Sequence, residues 1–361
     1  MKSTFILLLC AFLSAALVST SFAQEESSVS AADVEPAVAD LDAQPNGLQE
    51  KLKLAWVDVE ENGASMDKLD LIGDLYLETG DAPRAVLVFE KAIEEFGGSE
   101  VLFLKMARVM GIVGGPEHAV NALKVGLESF PESEQLTYEI GKAYIGLKKP
   151  YAAIANLKKV MELTPGKEQY RYHLADAYRV QGKWAESLKL VDGLIEESTA
   201  IMDVYLMKGD LLLAQGSRTE GVRFLEELRK KHPDSERVKQ LLVRAYQMYA
   251  YAESQSGRLS LAVRSIRSSL EVEPENAESQ VALASFLNQL GEFEEAESTF
   301  KAVLEDNPNN LDAYLFFGQM LEQLDRSPEA AELYRAGLSK AREGGIESAA
   351  TAFKKLLRIK P

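Results

Sequence analysis

Few side chains in this sequence have the type and spacing that catalysis or metal binding requires. The three histidines, His118, His173 and His232, are far apart, and the one cysteine is Cys10. No HExxH motif, GxSxG motif or glycine-rich phosphate loop occurs, and no pair of ligands stands at metal-binding spacing. Aspartate and glutamate are frequent, but their intervals are typical of solvated helix faces. The sequence therefore predicts no enzyme activity, no catalytic residue, no cofactor and no metal.

Residues 1–23 have the pattern of a secretory signal peptide. Lys2 precedes an apolar run from Phe5 to Val18, and small residues follow up to Ala23. We expect cleavage after Ala23 and export, with the periplasm or cell envelope as the destination. Lipid attachment at Cys10 is disfavoured because the apolar run continues well past it. No later run reaches the roughly 18 apolar residues of a membrane helix, so we expect no membrane span after cleavage.

The formal net charge is −16, and much of it is concentrated in residues 24–47. This segment has no basic residue, and it contains Glu25, Glu26, Asp33, Glu35, Asp40 and Asp42. Alanine, serine, proline and valine fill most of the remainder without a helical stripe, which predicts an acidic, disordered linker. Nucleic-acid binding needs clustered lysine and arginine, so this charge argues against a nucleic-acid partner.

A repeat of 34 residues that begins at Met66 dominates the rest of the chain. Position 8 is small in five successive repeats: Gly73, Ala107, Gly141, Ala175 and Gly209. Position 20 is also small: Ala85, Ala119, Ala153, Ser187 and Gly221. Position 24 is bulky: Phe89, Leu123, Leu157, Val191 and Leu225. The pattern predicts eight helix pairs, at residues 66–99, 100–133, 134–167, 168–201, 202–235, 236–276, 277–310 and 311–344.

Small residues at positions 8 and 20 let two helices approach closely, and the bulky residue at position 24 fills the gap. One helix pair cannot bury both faces, so stability comes from stacking of neighbouring pairs. The pattern resembles the tetratricopeptide repeat, as the first repeat shows with Gly73, Tyr76, Ala85, Phe89 and Ala92. The resemblance implies an all-α fold, a right-handed α-solenoid of stacked helix-turn-helix repeats. Residues 48–65 and 345–361 are predicted to form the N-terminal and C-terminal cap helices.

The resemblance also implies a binding surface, because in this family the first helices line a concave groove. Positions 2, 5, 9, 12 and 13 commonly face that groove. Repeats two to four would place apolar and aromatic side chains there beside positive charge: Leu104, Tyr138, Tyr172, Arg108, Lys142 and Arg179. Such a strip suits an extended peptide with hydrophobic anchors and acidic residues. The alternative is that Tyr138 and Tyr172 merely cover the neighbouring helix.

The sixth repeat is irregular because it spans 41 residues instead of 34. Seven additional residues are nearly two helical turns, so the first helix would project by roughly 10 Å with its buried face turned by only about 20°. This helix carries Tyr246, Tyr249 and Tyr251. The three tyrosines are either a second interaction site or a cover for the next repeat.

These features predict an exported scaffold or adaptor in the cell envelope that binds peptide or protein segments in its concave groove. The alternative is an accessory subunit of a polysaccharide-export or other envelope secretion complex, since exported arrays resembling this one occur in such machines. The partner, the process served and the oligomeric state are left open by the sequence.

Overall fold

The regular elements are all α-helices in the part of the chain that the computed structural model describes, residues 47–358. The chain divides into two compact units between Glu197 and Ser198. The first unit contains α1 (Gly47–Asn62), α2 (Met66–Glu78), α3 (Ala82–Phe96), α4 (Glu100–Val113), α5 (Pro116–Ser129), α6 (Glu134–Gly146), α7 (Pro150–Leu163), α8 (Glu168–Val180) and α9 (Trp184–Glu196). The second contains α10 (Met202–Ala214), α11 (Arg218–Lys231), α12 (Glu236–Gln255), α13 (Leu259–Val272), α14 (Ala277–Leu290), α15 (Phe293–Asp306), α16 (Leu311–Gln323), α17 (Ser327–Glu343) and α18 (Glu347–Arg358).

Within each unit, consecutive helices pack as pairs and the pairs stack on one another. The predicted all-α fold of stacked helix-turn-helix repeats is therefore confirmed. The domain boundaries proposed from the sequence, including the two caps, stay predictions. The signal peptide and the acidic linker up to residue 46 lie outside the described residues.

The two helices of a pair approach most closely at position 8. A Cβ atom added to Gly73 would lie 2.1 Å from Cε1 of Phe89, and one added to Gly318 would lie 2.3 Å from Cε1 of Tyr334. Both distances are far below van der Waals contact, and both aromatic rings are fully buried. Only glycine allows the ring of the second helix to lie against the backbone of the first.

Helix ends are fixed by side-chain caps and by left-handed turns. Ser99 Oγ accepts a hydrogen bond of 3.2 Å from the N–H of Leu102 at the start of α4, and Ser133 Oγ accepts one of 3.0 Å from Leu136 at the start of α6. Gly291 ends α14 with φ of 85°. These caps fix the residues at which α4 and α6 begin and α14 ends.

Neighbouring repeats also contact each other through side chains that are twenty residues apart in the sequence. They stand at position 25 of one repeat and position 11 of the following repeat. The three observed pairs are Lys124 with Tyr144 (5.7 Å from Nζ to the ring centroid), Lys158 with Tyr178 (5.9 Å) and Glu226 with Tyr246 (2.5 Å from Oε1 to the hydroxyl oxygen). We call this the 25–11 slot.

The sixth repeat differs from the others in its first helix. Helix α12 has 20 residues, whereas α10 and α16 each have 13. The additional length of the repeat therefore lies in α12 and moves the start of α13 along the chain to Leu259.

Candidate functional site

Helix α4 presents an exposed apolar stripe that includes two of the predicted binding residues. Leu104 is half-buried and Arg108 is exposed. The same face carries Val101, which is 58% exposed, and Ile112, which is 70% exposed. At 1.5 Å per residue these four side chains cover about 16 Å along the helix. We call Val101, Leu104, Arg108 and Ile112 the α4 stripe.

The charged residues around the stripe differ in whether they have a partner. Lys105 bridges Asp70 and Asp74 of the preceding repeat, with Nζ 2.7 Å from a carboxylate oxygen of each. Desolvation opposes the charge of Lys105, but these two carboxylates outweigh it and raise the pKa of the ammonium group. Arg108, in contrast, has no ion pair or hydrogen bond to another side chain within residues 47–358. It is therefore available to a carboxylate of a partner.

The sequence predicts that Tyr138 faces the groove, but in the structure its side chain is buried. Only 6% of it is exposed, its ring centroid lies 4.6 Å from that of Tyr170, and its hydroxyl lies 2.9 Å from Nδ1 of His173. Burial is the main reason that the pKa of Tyr138 is raised to about 12. Burial also lowers the pKa of His173. This geometry corresponds to the alternative in which Tyr138 covers the neighbouring helix.

The remaining predicted residues of repeats three and four are already engaged within the fold. Lys142 binds Glu139 at 2.9 Å, and Arg179 binds Asp176 at 2.6 Å. Tyr172 is half-buried, and its ring packs edge-on against His173 with the centroids 4.9 Å apart. The structure thus does not bring the six predicted residues together as one free strip. Their role in binding stays a prediction, and of the three helices that carry them α4 has the exposed apolar residues Val101 and Ile112.

The tyrosines of the sixth repeat separate into two environments. Tyr246 and Tyr249 line a cavity of about 220 Å³ between α11, α12 and α13, together with Val222 and Leu261. Tyr251 instead packs edge-on against Phe286 of the next repeat, with the ring centroids 5.5 Å apart. The three residues therefore do not form a single surface, and their proposed role as a second interaction site stays a prediction.

Residues 47–358 contain neither a candidate metal site nor a candidate membrane helix. No group of three or more histidine, cysteine, aspartate or glutamate side chains is arranged to hold a metal ion there. Within the same residues, no helix has both the length and the apolar character needed to cross a membrane.

Comparison with known proteins gives the family of the repeats. Four sequence models described as tetratricopeptide repeat match residues 135–167, 203–235, 254–308 and 287–345. The chain carries tetratricopeptide repeats. A search of the curated proteins found no match.

Solved tetratricopeptide-repeat structures share the fold. The C-terminal part of a TPR repeat-containing protein from Cytophaga hutchinsonii aligns with a TM-score of 0.55 at 15% identity, over 68% of this chain and 96% of that one. A tetratricopeptide repeat protein from Parabacteroides merdae aligns with a TM-score of 0.47 at 18% identity, over 65% of this chain and 91% of that one. Identities this low show similarity of fold alone.

Tetratricopeptide repeats support a role as a protein–protein interaction scaffold, and folds of this kind are typically non-catalytic.

Two residues of the α4 stripe, Val101 and Ile112, were not singled out from the sequence. They stand at positions 2 and 13 of their repeat, which the family resemblance assigns to the groove. Applying all five groove positions to every repeat would have found them.

Proposed function

We propose that this tetratricopeptide-repeat protein is a non-catalytic scaffold of the cell envelope that binds a segment of another protein along the α4 stripe. The observation that carries the proposal is the exposure of Val101 and Ile112 on one helix face that also holds Arg108. Single exposed apolar residues are ordinary, but two of them aligned on one helix face with a half-buried leucine form an apolar stripe that is interrupted by Arg108 alone.

The chemistry of the stripe defines what its partner offers. Burial of Val101, Leu104 and Ile112 supplies the hydrophobic contribution to binding. Arg108 then selects a segment with a carboxylate between its apolar anchors, because a guanidinium group makes paired hydrogen bonds with a carboxylate. The proposed ligand is therefore an extended or helical protein segment with apolar side chains about two helical turns apart and an acidic residue between them.

The location in the cell envelope is inferred from the sequence of residues 1–23. Lys2, the apolar run Phe5–Val18 and the small residues before Gln24 support export. Fractionation of cells and N-terminal sequencing of the recovered protein test this part. A mature chain that starts at Gln24 in the envelope fraction is expected, and an uncleaved cytoplasmic chain would contradict it.

Site-specific photocrosslinking tests the binding surface. A photoreactive amino acid is placed at Ile112 of the full chain and, as a control, at Phe293 of the second unit, which is also exposed. The Ile112 probe is expected to capture a partner that the Phe293 probe does not. Val101→Glu should abolish that capture while the circular dichroism spectrum stays unchanged. Equal capture from both positions, or capture that survives Val101→Glu, would show that the stripe is not the binding surface.

A further inference from the structure

A second surface of the first unit combines exposed lysines with exposed aromatic rings. It lies at the turns between the two helices of repeats three and four and along the first two turns of α7. Its members are Lys148, Lys158, Lys183, Tyr151 and Trp184, and we call it the lysine edge. Tyr151 and Lys158 are seven residues apart on α7 and so lie on the same face of that helix. Tyr151 is 78% exposed and Trp184 is 40% exposed.

Two lysines of this edge converge on one tyrosine without a carboxylate between them. Nζ of Lys158 lies 5.9 Å and Nζ of Lys183 lies 6.0 Å from the centroid of the Tyr178 ring. Neither ammonium group has an ion pair with any residue between 47 and 358, although Glu162 stands one turn from Lys158 on α7. Like charges near one ring repel each other, and binding of a carboxylate to either ammonium group would reduce that repulsion.

The preceding repeat shows how the fold neutralises the equivalent lysine. Lys149 corresponds to Lys183, 34 residues earlier, and its Nζ binds Oε1 of Glu117 at 2.8 Å. One repeat further on, the residue that corresponds to Glu117 is Tyr151. The lysine edge therefore has an aromatic ring where the neighbouring repeat has the neutralising carboxylate. The missing negative charge has to come from solvent ions or from a partner.

Lys148 adds a third positive charge to this edge, at the turn of the third repeat. It adopts a left-handed conformation with φ of 53°. Gly80, Gly182 and Gly216, which occupy the same turn position in other repeats, have φ between 80° and 85°. A lysine in this conformation strains its backbone, whereas glycine does not. Asp325, at the same turn position of the eighth repeat, has φ of 58°, so this turn accepts other residues than glycine at a small cost in strain.

We infer that the lysine edge binds an acidic protein segment that carries an aromatic or aliphatic side chain beside its carboxylates. The carboxylates bind Lys158 and Lys183, and the apolar side chain packs on Tyr151 and Trp184. Charge complementarity selects this partner, because the edge is positive on a chain whose net charge is −16. The inference adds a second surface to the proposed scaffold and stands independently of the α4 stripe.

Fluorescence anisotropy with a labelled synthetic peptide tests the inference. The probe is a short peptide that repeats Glu-Glu-Leu, and its matched control repeats Gln-Gln-Leu. We expect the full chain to bind the glutamate peptide and not the glutamine peptide, with binding that weakens when the salt concentration is raised to about 0.3 M. Lys158→Gln combined with Lys183→Gln should weaken binding about tenfold.

Control variants separate a defined site from general charge attraction. Lys159→Gln combined with Lys189→Gln removes two exposed lysines from α7 and α9, the helices beside the edge, and should leave the affinity unchanged. Lys148→Gly should weaken binding while raising the melting temperature, because it removes charge and relieves strain together. A weakened affinity with this gain in stability cannot be caused by unfolding.

Three results would overturn the inference. The first is absence of binding to the glutamate peptide, and the second is equal loss of affinity in both double variants. The third is that vesicles of phosphatidylglycerol and phosphatidylcholine bind the chain through Lys158 and Lys183 while the peptide does not, since the edge would then be a membrane contact. Photocrosslinking at Ile112 is unaffected by these variants, so failure here leaves the proposal for the α4 stripe standing.

Discussion

Replacement of Glu90 by glutamine is expected to stabilise the protein at about pH 8 and to change little at about pH 4.5. Glu90 lies on α3, where burial first and the charge of Glu94 second raise its pKa from 4.5 to about 7. Within residues 47–358 no hydrogen bond offsets this burial, and the 25–11 slot gives the reason. In a later repeat the hydroxyl of Tyr246 donates a hydrogen bond to Glu226, twenty residues earlier. The residue twenty positions after Glu90 is Met110, and the side chain of methionine has no hydrogen-bond donor.

The sign and size of the effect follow from the two pKa values. Below pH 4.5 the carboxyl group is protonated in both the folded and the unfolded chain, so it has no effect on stability. As the pH rises from 4.5 to about 7, the unfolded chain loses its proton first and the free energy of unfolding falls. At about 1.4 kcal/mol per pKa unit the loss above this window is at most about 3 kcal/mol, because partial exposure screens the charge.

Urea unfolding measured at both pH values is the appropriate assay. The chain has two tryptophans, and a Trp184→Phe background leaves Trp56 as the reporter. Trp56 is buried in the same hydrophobic cluster as Phe89 of α3, so its fluorescence follows the part of the fold that contains Glu90. Glu90→Gln should gain about 2–3 kcal/mol at about pH 8 and less than about 0.5 kcal/mol at about pH 4.5.

The matched control is Glu95→Gln, an exposed residue on the same helix. It should change the free energy of unfolding by less than about 0.5 kcal/mol at either pH. The reasoning is refuted if Glu90→Gln stabilises the protein equally at both pH values. A pH-independent gain would come from packing of the amide and not from removal of a buried charge.

Two further pairs of variants test the packing and the register. Gly73→Ala should cost more than about 2 kcal/mol because its Cβ would overlap an aromatic ring, whereas Gly193→Ala has open space and should stabilise by up to about 1 kcal/mol. Equal changes in their urea midpoints would contradict the close-approach argument. Tyr246→Phe should cost about 1 kcal/mol because Glu226 loses a donor, whereas Tyr144→Phe keeps its cation–π contact and should be nearly neutral. Equal shifts in melting temperature would show that the hydroxyl of Tyr246 contributes nothing.

The fold could be predicted from the sequence because the contact that defines each helix pair leaves a local signature. Gly73 and Phe89 are sixteen residues apart, and their contact requires a small residue on one helix and a bulky one on the next. The same pair of residue types recurs with the repeat, so helix type and pairing could be derived without long-range information. The extra length of the sixth repeat could be seen in the same way.

The candidate site was predicted less well, because exposure at a groove position depends on the next repeat. Tyr138 and Leu104 occupy the same position 5, yet Tyr138 is buried and Leu104 is not. The difference comes from Tyr170 and His173, which reach back from the following repeat to the ring and hydroxyl of Tyr138. Family positions indicate which helix face a residue occupies, but not whether a neighbour covers it.

The side chains of the 25–11 slot differ from repeat to repeat in charge and in hydrogen bonding. One backbone arrangement holds a lysine over a tyrosine ring in Lys124–Tyr144, a hydrogen-bonded carboxylate in Glu226–Tyr246, and a carboxylate without a donor at Glu90. The fold tolerates all three because a small residue at position 8 packed against a bulky residue at position 24 holds each helix pair together regardless of the slot. Charge in the slot can therefore vary without loss of the fold, although an unpaired carboxylate such as that of Glu90 lowers stability. Packing positions and charged positions are thus separate, which lets surface charge change from repeat to repeat while the stack of helices stays the same.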